Sequence, residues 1–275
     1  MVTGSYLLNA MSEETWFILP SILKSYEKVF NSKYIDKDRF DAIIDKSKDN
    51  IADNPLLEII GNKAVINMEG TLVRKAGFLD AMCGISGMDS LTNLFNQVID
   101  DDEIEHVILN WDSPGGSAVG TPEFAEIVYA ARDKKRITSC ISGCMCSAAY
   151  FIGSAAHEIY ATSQINDVGS IGVVMMHVDQ SQADAESGLK YTYIHAGKHK
   201  VDGNPHEALS PEVLAGLQDK LNYTYGIFID SVAKYRGVTT DMISEYAEGK
   251  VFKAGQVVGT PLLDGIATLN EILRS

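Results

Sequence analysis

From Ala64 onward, short apolar runs alternate with stretches of helical periodicity, and this alternation narrows the possible folds more than any other feature. Ala64–Met68 is followed by Leu91–Ile99, Val107–Trp111 by Phe124–Ala131, and Ile137–Ser142 by Ser147–Gly153. Strands separated by helices of about ten residues pair in parallel through crossovers, so the spacing predicts an α/β body. Further strands are expected at Glu158–Ala161, Ile171–Val178 and Tyr191–Ala196, with helices at Glu212–Tyr235 and Thr240–Tyr246. No internal repeat or low-complexity tract interrupts the pattern.

Residues 1–50 read differently. Trp16, Phe17, Leu19, Ile22, Leu23, Tyr26, Val29 and Phe30 fall at helical spacing, continued by Phe40, Ile43 and Ile44, which predicts an N-terminal helical arm. The turn signal Asp53-Asn54-Pro55 makes a joint, dividing the chain into an arm over 1–55 and a body over 56–275. Residues 1–50 carry 8 acidic and 7 basic residues, so nearly all of the formal charge of -14 lies in 51–275.

That charge repels phosphate backbones and anionic lipid, which makes nucleic acid a poor partner. With 275 residues, 45% hydrophobic and 22% charged, the chain can bury a core without disulfides and is neither fibrous nor disordered. No run approaches the roughly 18 apolar residues of a membrane helix. The start of the chain lacks a basic stretch followed by an apolar one, and a cytoplasmic protein without a membrane anchor is expected. Cys140, Cys144 and Cys146 crowd into an apolar stretch, with Cys83 apart, and match no zinc spacing; reduced, buried thiols and no metal are expected.

Two passages from strand into helix can hold chemistry. Asp112-Ser113-Pro114-Gly115-Gly116 follows Val107–Trp111 at the carboxyl edge of the sheet, where ligands bind in such folds. Its glycines can turn backbone N–H groups outward, as an oxyanion hole requires; a plain tight turn explains them equally well. Ile137–Ser142 runs into Gly143-Cys144-Met145-Cys146-Ser147-Ala148-Ala149-Tyr150, which sets Ser147 at a helix start. A serine there can simply cap the helix; as a nucleophile it needs a base. Six histidines and the lysines of Gly197-Lys198-His199-Lys200 are candidates, and a lysine serves only where burial lowers its pKa.

Ser113-Pro114-Gly115-Gly116, Ser147-Ala148-Ala149-Tyr150, Asp167-Val168-Gly169-Ser170-Ile171-Gly172-Val173 and Gly197-x-x-Lys200 occur in this order, with Gly249-Lys250-Val251-Phe252 and Gly259-x-x-Leu262-Leu263-Asp264 closing the chain. Together they resemble the signal peptide peptidase A (protease IV) family. Gly70-Thr71-Leu72-Val73 and Gly77–Gly84 are similar to its tailed-phage branch, the head-maturation or capsid assembly proteases. The resemblance implies a crotonase-like, Clp-protease-like fold of repeated ββα units and a Ser-Lys dyad without cofactor. Ser147 is then the nucleophile and Lys200 the general base, with Gly115, Gly116 and Ala148 supplying the oxyanion hole. It further implies a homo-oligomer acting on peptide or protein, scaffold and capsid proteins in the phage branch. The family turn carries Ser-Gly-Gly-Tyr where this chain has two alanines, and Ala148 still offers its N–H.

Gly169, Ser170, Ile171 and Gly172 are expected to bind substrate. The stretches Gly169–Met176 and Gly115–Gly120 should line the cleft, because extended peptides add to strand edges and need small residues for close approach. Alternatives are a bacterial enzyme degrading peptides, a crotonase-type acyl-CoA enzyme, whose oxyanion site needs no Ser-Lys pair, and an inert capsid-assembly protein.

Overall fold

The computed structural model describes residues 15–18, 56–76 and 84–275. In chain order its elements are β1 (Trp16–Ile18), β2 (Leu57–Ile60), β3 (Lys63–Glu69), β4 (Thr71–Val73), β5 (Ile85–Gly87), α1 (Met88–Asp100), β6 (His106–Ser113), β7 (Gly115–Ser117), α2 (Thr121–Ala131), β8 (Arg136–Cys146) and α3 (Ala148–Gly153). Then come β9 (Glu158–Ala161), β10 (Asp167–Gly169), α4 (Ser181–Glu186), α5 (Pro211–Arg236), α6 (Thr240–Ser244), β11 (Val251–Lys253), α7 (Ala254–Val257), β12 (Gly265–Ile266) and α8 (Leu269–Arg274).

The larger sheet runs β11-β10-β8-β6-β3-β2, with β9 also beside β8 and β12 beside β9. Its pairs β3/β6, β6/β8, β8/β9 and β8/β10 are parallel, as the alternation predicts. Val107, Ile108, Leu109, Trp111, Ile137, Cys140 and Ile141 are fully buried, which explains why β6 and β8 read as near-continuous apolar runs. A smaller sheet, β1-β7-β4-β5, lies on the other path. Strands of the large sheet thus pass into a short strand of the small one and then into a helix, β3-β4-β5-α1 and β6-β7-α2. This is the crotonase-like and Clp-protease-like ββα plan. Among the helices, α1 buries one stripe, turning Met88, Leu91, Leu94, Phe95, Val98 and Ile99 to the core, whereas α3 is buried at every position.

Three local expectations are corrected. Trp16–Ile18 is a strand rather than part of a helix, because the edge of β7 supplies ladder partners to a tripeptide of aromatic and β-branched residues; the rest of the predicted arm lies outside the described residues. Ile171–Val178 keeps a single bridge, Trp16 to Val174, since the positive φ angles of Gly169 (106°) and Ser170 (54°) turn the chain out of the line of β10. Tyr191–Ala196 is exposed throughout and meets no strand edge, so it forms no strand. Of the cysteines, Cys140 and Cys146 are buried and Cys144 half-buried, all three as free thiols; Cys83 is outside the described residues. Burial pushes the Cys140 thiol up to about 12. Among the described residues no helix is long and apolar enough to cross a membrane.

Candidate active site

β6 and β8 pair in register from His106 and Arg136 to Trp111 and Ile141, then shift so that Ser113 faces Met145. The extra length of β8 bulges at Ser142-Gly143-Cys144, and two side chains hold it. The Asp112 carboxylate accepts the Cys144 N–H at 3.1 Å. It sits where a side chain at Gly143 would stand, 2.0 Å from an added Cβ. From the other side the Asn166 amide donates to the carbonyls of Ser142 (3.0 Å) and Gly143 (2.9 Å), while its oxygen accepts the Ser163 N–H at 2.7 Å.

The bulge delivers Ser147 to the start of α3 in a conformation that L-residues avoid, φ 55° and ψ -117°. Such a residue costs on the order of 1–3 kcal/mol and persists only where its surroundings hold it. Here the Ser147 N–H donates to the Gly169 carbonyl at 2.8 Å and the Phe151 N–H donates to the Ser147 carbonyl at 2.8 Å. The side chain makes no cap hydrogen bond, so the plain capping role does not apply. Ser147 is 1% exposed. The N–H groups of the first turn, Ala148 included, have no acceptor within the helix.

Gly115 lies against this turn. With φ 102°, it brings its Cα so near that an added Cβ would be 2.9 Å from both the Ser147 Cβ and the Cys146 carbonyl oxygen. Ser113 anchors the loop by donating to the Gly70 carbonyl at 2.6 Å and accepting the Gly115 N–H at 3.3 Å. Gly116 packs on β4, where an added Cβ would overlap the Leu72 carbonyl oxygen at 1.7 Å. Of the expected oxyanion residues, Gly115 and Ala148 therefore lie beside Ser147, and Gly116 follows Gly115 along β7 against Leu72.

Of the expected substrate residues, Gly169 alone contacts Ser147 directly. Gly169 is tied to Ser147 through its carbonyl; Ser170 is buried, its N–H donating to Lys250 O at 2.6 Å, and Ile171 O accepts the Gly249 N–H at 2.8 Å. Ser170 and Gly172 line an open cavity of about 350 Å³ with Ile18, Val173, Val174 and Met175, together with Tyr225 of α5 and Glu248.

Lys200 stands apart. It lies in an exposed turn where its N–H donates to the Gly197 carbonyl at 3.2 Å, and no hydrogen bond joins its side chain to Ser147. Its neighbours are engaged: Lys198 donates to Glu212, a bond that raises its pKa, and His199 pairs with Asp202 at 2.8 Å. Sequence reasoning missed Asn166 and the bracing role of Asp112. The two extra residues of β8 relative to β6, between Ile141 and Met145, are the bulge that needs such props.

The description of peptidase family S49 matches residues 130–275, more than half of the chain. The chain is 32% identical over 215 residues to the head-tail preconnector protein GP5 of Enterobacteria phage P21, covering 78% of this chain and 42% of that protein. It is 29% identical over 216 residues to the capsid assembly protease C of Escherichia phage lambda, covering 78% and 49%. A putative protease, MJ0651 of Methanocaldococcus jannaschii, is 30% identical over 182 residues, covering 66% and 58%. The chain thus spans about half the length of the curated relatives it matches. With a strained serine braced between a glycine turn and a small-residue strand, and a match over its carboxyl-terminal half, the chain belongs to peptidase family S49.

Proposed function

We propose that this chain is a serine endopeptidase acting through Ser147 and Lys200. The observation that carries the reading is the backbone of Ser147: a non-glycine residue at φ 55°, uncapped, nearly buried and flanked by Gly115. Strain of that kind collects where a reacting group must be aimed. Ser147 Oγ bonds to the scissile carbonyl carbon as its proton passes to the Lys200 amine. The carbonyl oxygen becomes an oxyanion received by the N–H of Ala148 and that of Gly115 or Gly116. Collapse breaks the C–N bond, the amine leaves with the proton from Lys200, and water releases the acyl group by the same route. Family membership favours a peptide over a thioester substrate.

A lysine acts as a base only where water is kept away from it. Lys200 is exposed in the single chain, so its cover must come from elsewhere. The segment beside it is apolar and open: Leu189, Tyr191, Tyr193 and Ile194 are exposed, Ile194 to 98%, as are Leu214 and Tyr223 on α5. Exposed apolar side chains in such number mark an interaction site, and we read them as the contact between copies in a homo-oligomer. The name of one phage relative, a capsid assembly protease, favours proteins of capsid assembly as substrates, and the resemblance drawn from the sequence extends this to scaffold and capsid proteins cleaved during head maturation.

The test is incubation with casein and with a fluorophosphonate probe, followed by mass spectrometry of the labelled peptide. Labelling at Ser147, with hydrolysis lost in Ser147→Ala, is expected; undiminished hydrolysis by that variant rejects the reading.

A further inference from the structure

The two stretches expected to wall the cleft, 115–120 and 169–176, do not face empty space. β1 lies between them. On one edge it runs antiparallel to β7, with Trp16 opposite Ser117, Phe17 opposite Gly116 and Ile18 opposite Gly115. On the other edge the Trp16 N–H donates to the Val174 carbonyl at 2.9 Å and the Val174 N–H donates to the Trp16 carbonyl at 3.0 Å. The strand heads toward the reacting centre, since Ile18 pairs with Gly115 and the Gly115 Cα abuts Ser147. Just past Ile18 comes the cavity of about 350 Å³ lined by Ser170, Gly172 and Val174.

The side chains alternate as those of a bound extended peptide do. Phe17, 1% exposed, points inward onto Phe151 and Phe228, with ring centroids 5.8 and 4.9 Å away. Trp16 and Ile18 point the other way and pack with Val73, Val174 and Met176. The backbone groups that would grip an extended substrate beside Ser147 are therefore already engaged by this chain's own N-terminal segment.

We propose that Trp16–Ile18 occupies the peptide-binding cleft as a substrate does, so that the segment and an incoming peptide compete for the edges of β7 and Val174, and that the hole filled by Phe17 is a subsite for a large aromatic or aliphatic side chain. The word substrate rests on the proposed function; the competition for the cleft does not. Affinity for an external peptide is then lowered by the fraction of chains in which the segment is docked.

The test uses the full chain with Ser147→Ala and reads binding of a fluorescein-labelled Thr-Trp-Phe-Ile peptide, residues 15–18 of this sequence, by fluorescence polarisation. In one form Trp16→Cys and Val174→Cys are joined as a disulfide; the residues are direct antiparallel partners, a separation such a bond spans. In the other, Phe17→Ala releases the segment, with Trp16→Pro as a second released form that removes the N–H bonded to Val174 and leaves Phe17 in place. The peptide is expected to bind at least one released form tenfold or more tighter than the stapled form. Equal binding, or binding to none of the three, shows β1 to be a fixed strand and overturns the proposal. Casein hydrolysis by the same forms with Ser147 restored is measured separately, so loss of hydrolysis in every form counts against the peptidase reading alone.

Discussion

Gly115 and Ser147 share a space that admits only one side chain: a Cβ on Gly115 would stand 2.9 Å from that of Ser147 and 2.2 Å from the carbonyl oxygen of Phe17. The glycine is required twice over, by this contact and by its φ of 102°. Its substitution separates the chemistry from the fold. Gly115→Ala is expected to lower stability by about 1–3 kcal/mol and peptidase activity by on the order of a hundredfold, the loss found when one oxyanion donor is displaced. Melting and initial rates on one preparation check both figures, and full activity would remove Gly115 from the site.

Ser147→Ala and Ser147→Gly should be equally inactive yet differ in stability. Alanine inherits the strain of φ 55° and ψ -117°, whereas glycine adopts that region freely. Ser147→Gly is expected to be more stable than Ser147→Ala by about 1 kcal/mol in urea titration. The reverse order would mean that the local backbone is relaxed.

Lys200→Ala should abolish hydrolysis with stability changed by less than about 0.5 kcal/mol, because the side chain is exposed and anchors nothing in the single chain. Lys198→Ala, which breaks the contact with Glu212, should leave activity near the starting level. If the two variants exchange these behaviours, the base is Lys198.

Asn166→Ala should act on Ser147 at a distance. It deletes the donors to Ser142 and Gly143 and the acceptor for Ser163, all in a buried setting, at a cost of about 2–3 kcal/mol. The rate of fluorophosphonate labelling should fall with it, since the β8 bulge aims the serine. A stability loss without any change in labelling would make Asn166 purely structural.

His106 gives the fold an acid sensitivity. It is 4% exposed, its Nε2 lies 2.9 Å from the Thr138 hydroxyl, and burial, aided by Arg136 and Lys63, holds its pKa down at about 4. The folded state therefore keeps the ring neutral while the unfolded chain protonates it near 6.5. Stability is unaffected above that pH, falls as pH drops from about 6.5 toward 4, and levels off below, for a total of about 3 kcal/mol. His106→Gln should flatten this part of the profile in denaturant titrations between pH 7 and 4.

What the sequence by itself determined is the part written in local periodicity and in short motifs. Alternating apolar runs and helical stripes are consequences of burial on both faces of a parallel sheet, so the existence and order of β3, β6, β8 and their helices were legible, while the bulged end of β8 past Ser142 was not. Ser113–Gly116 and Ser147–Tyr150 stood out as small-residue passages from strand into helix, which a tight turn and a helix cap explain equally well; the family resemblance is what singled them out. The tertiary structure alone decided the rest. Trp16–Ile18 reads as helix in isolation and becomes a strand because β7 and Val174 offer it two edges. Tyr191–Ala196 has strand-like composition and no edge to join. The strain on Ser147 arises from a bulge propped by Asp112 and by Asn166, a residue far along the chain, and no window of sequence contains that contact. A strand needs a partner and a strained residue needs a brace, and both come from distant parts of the chain.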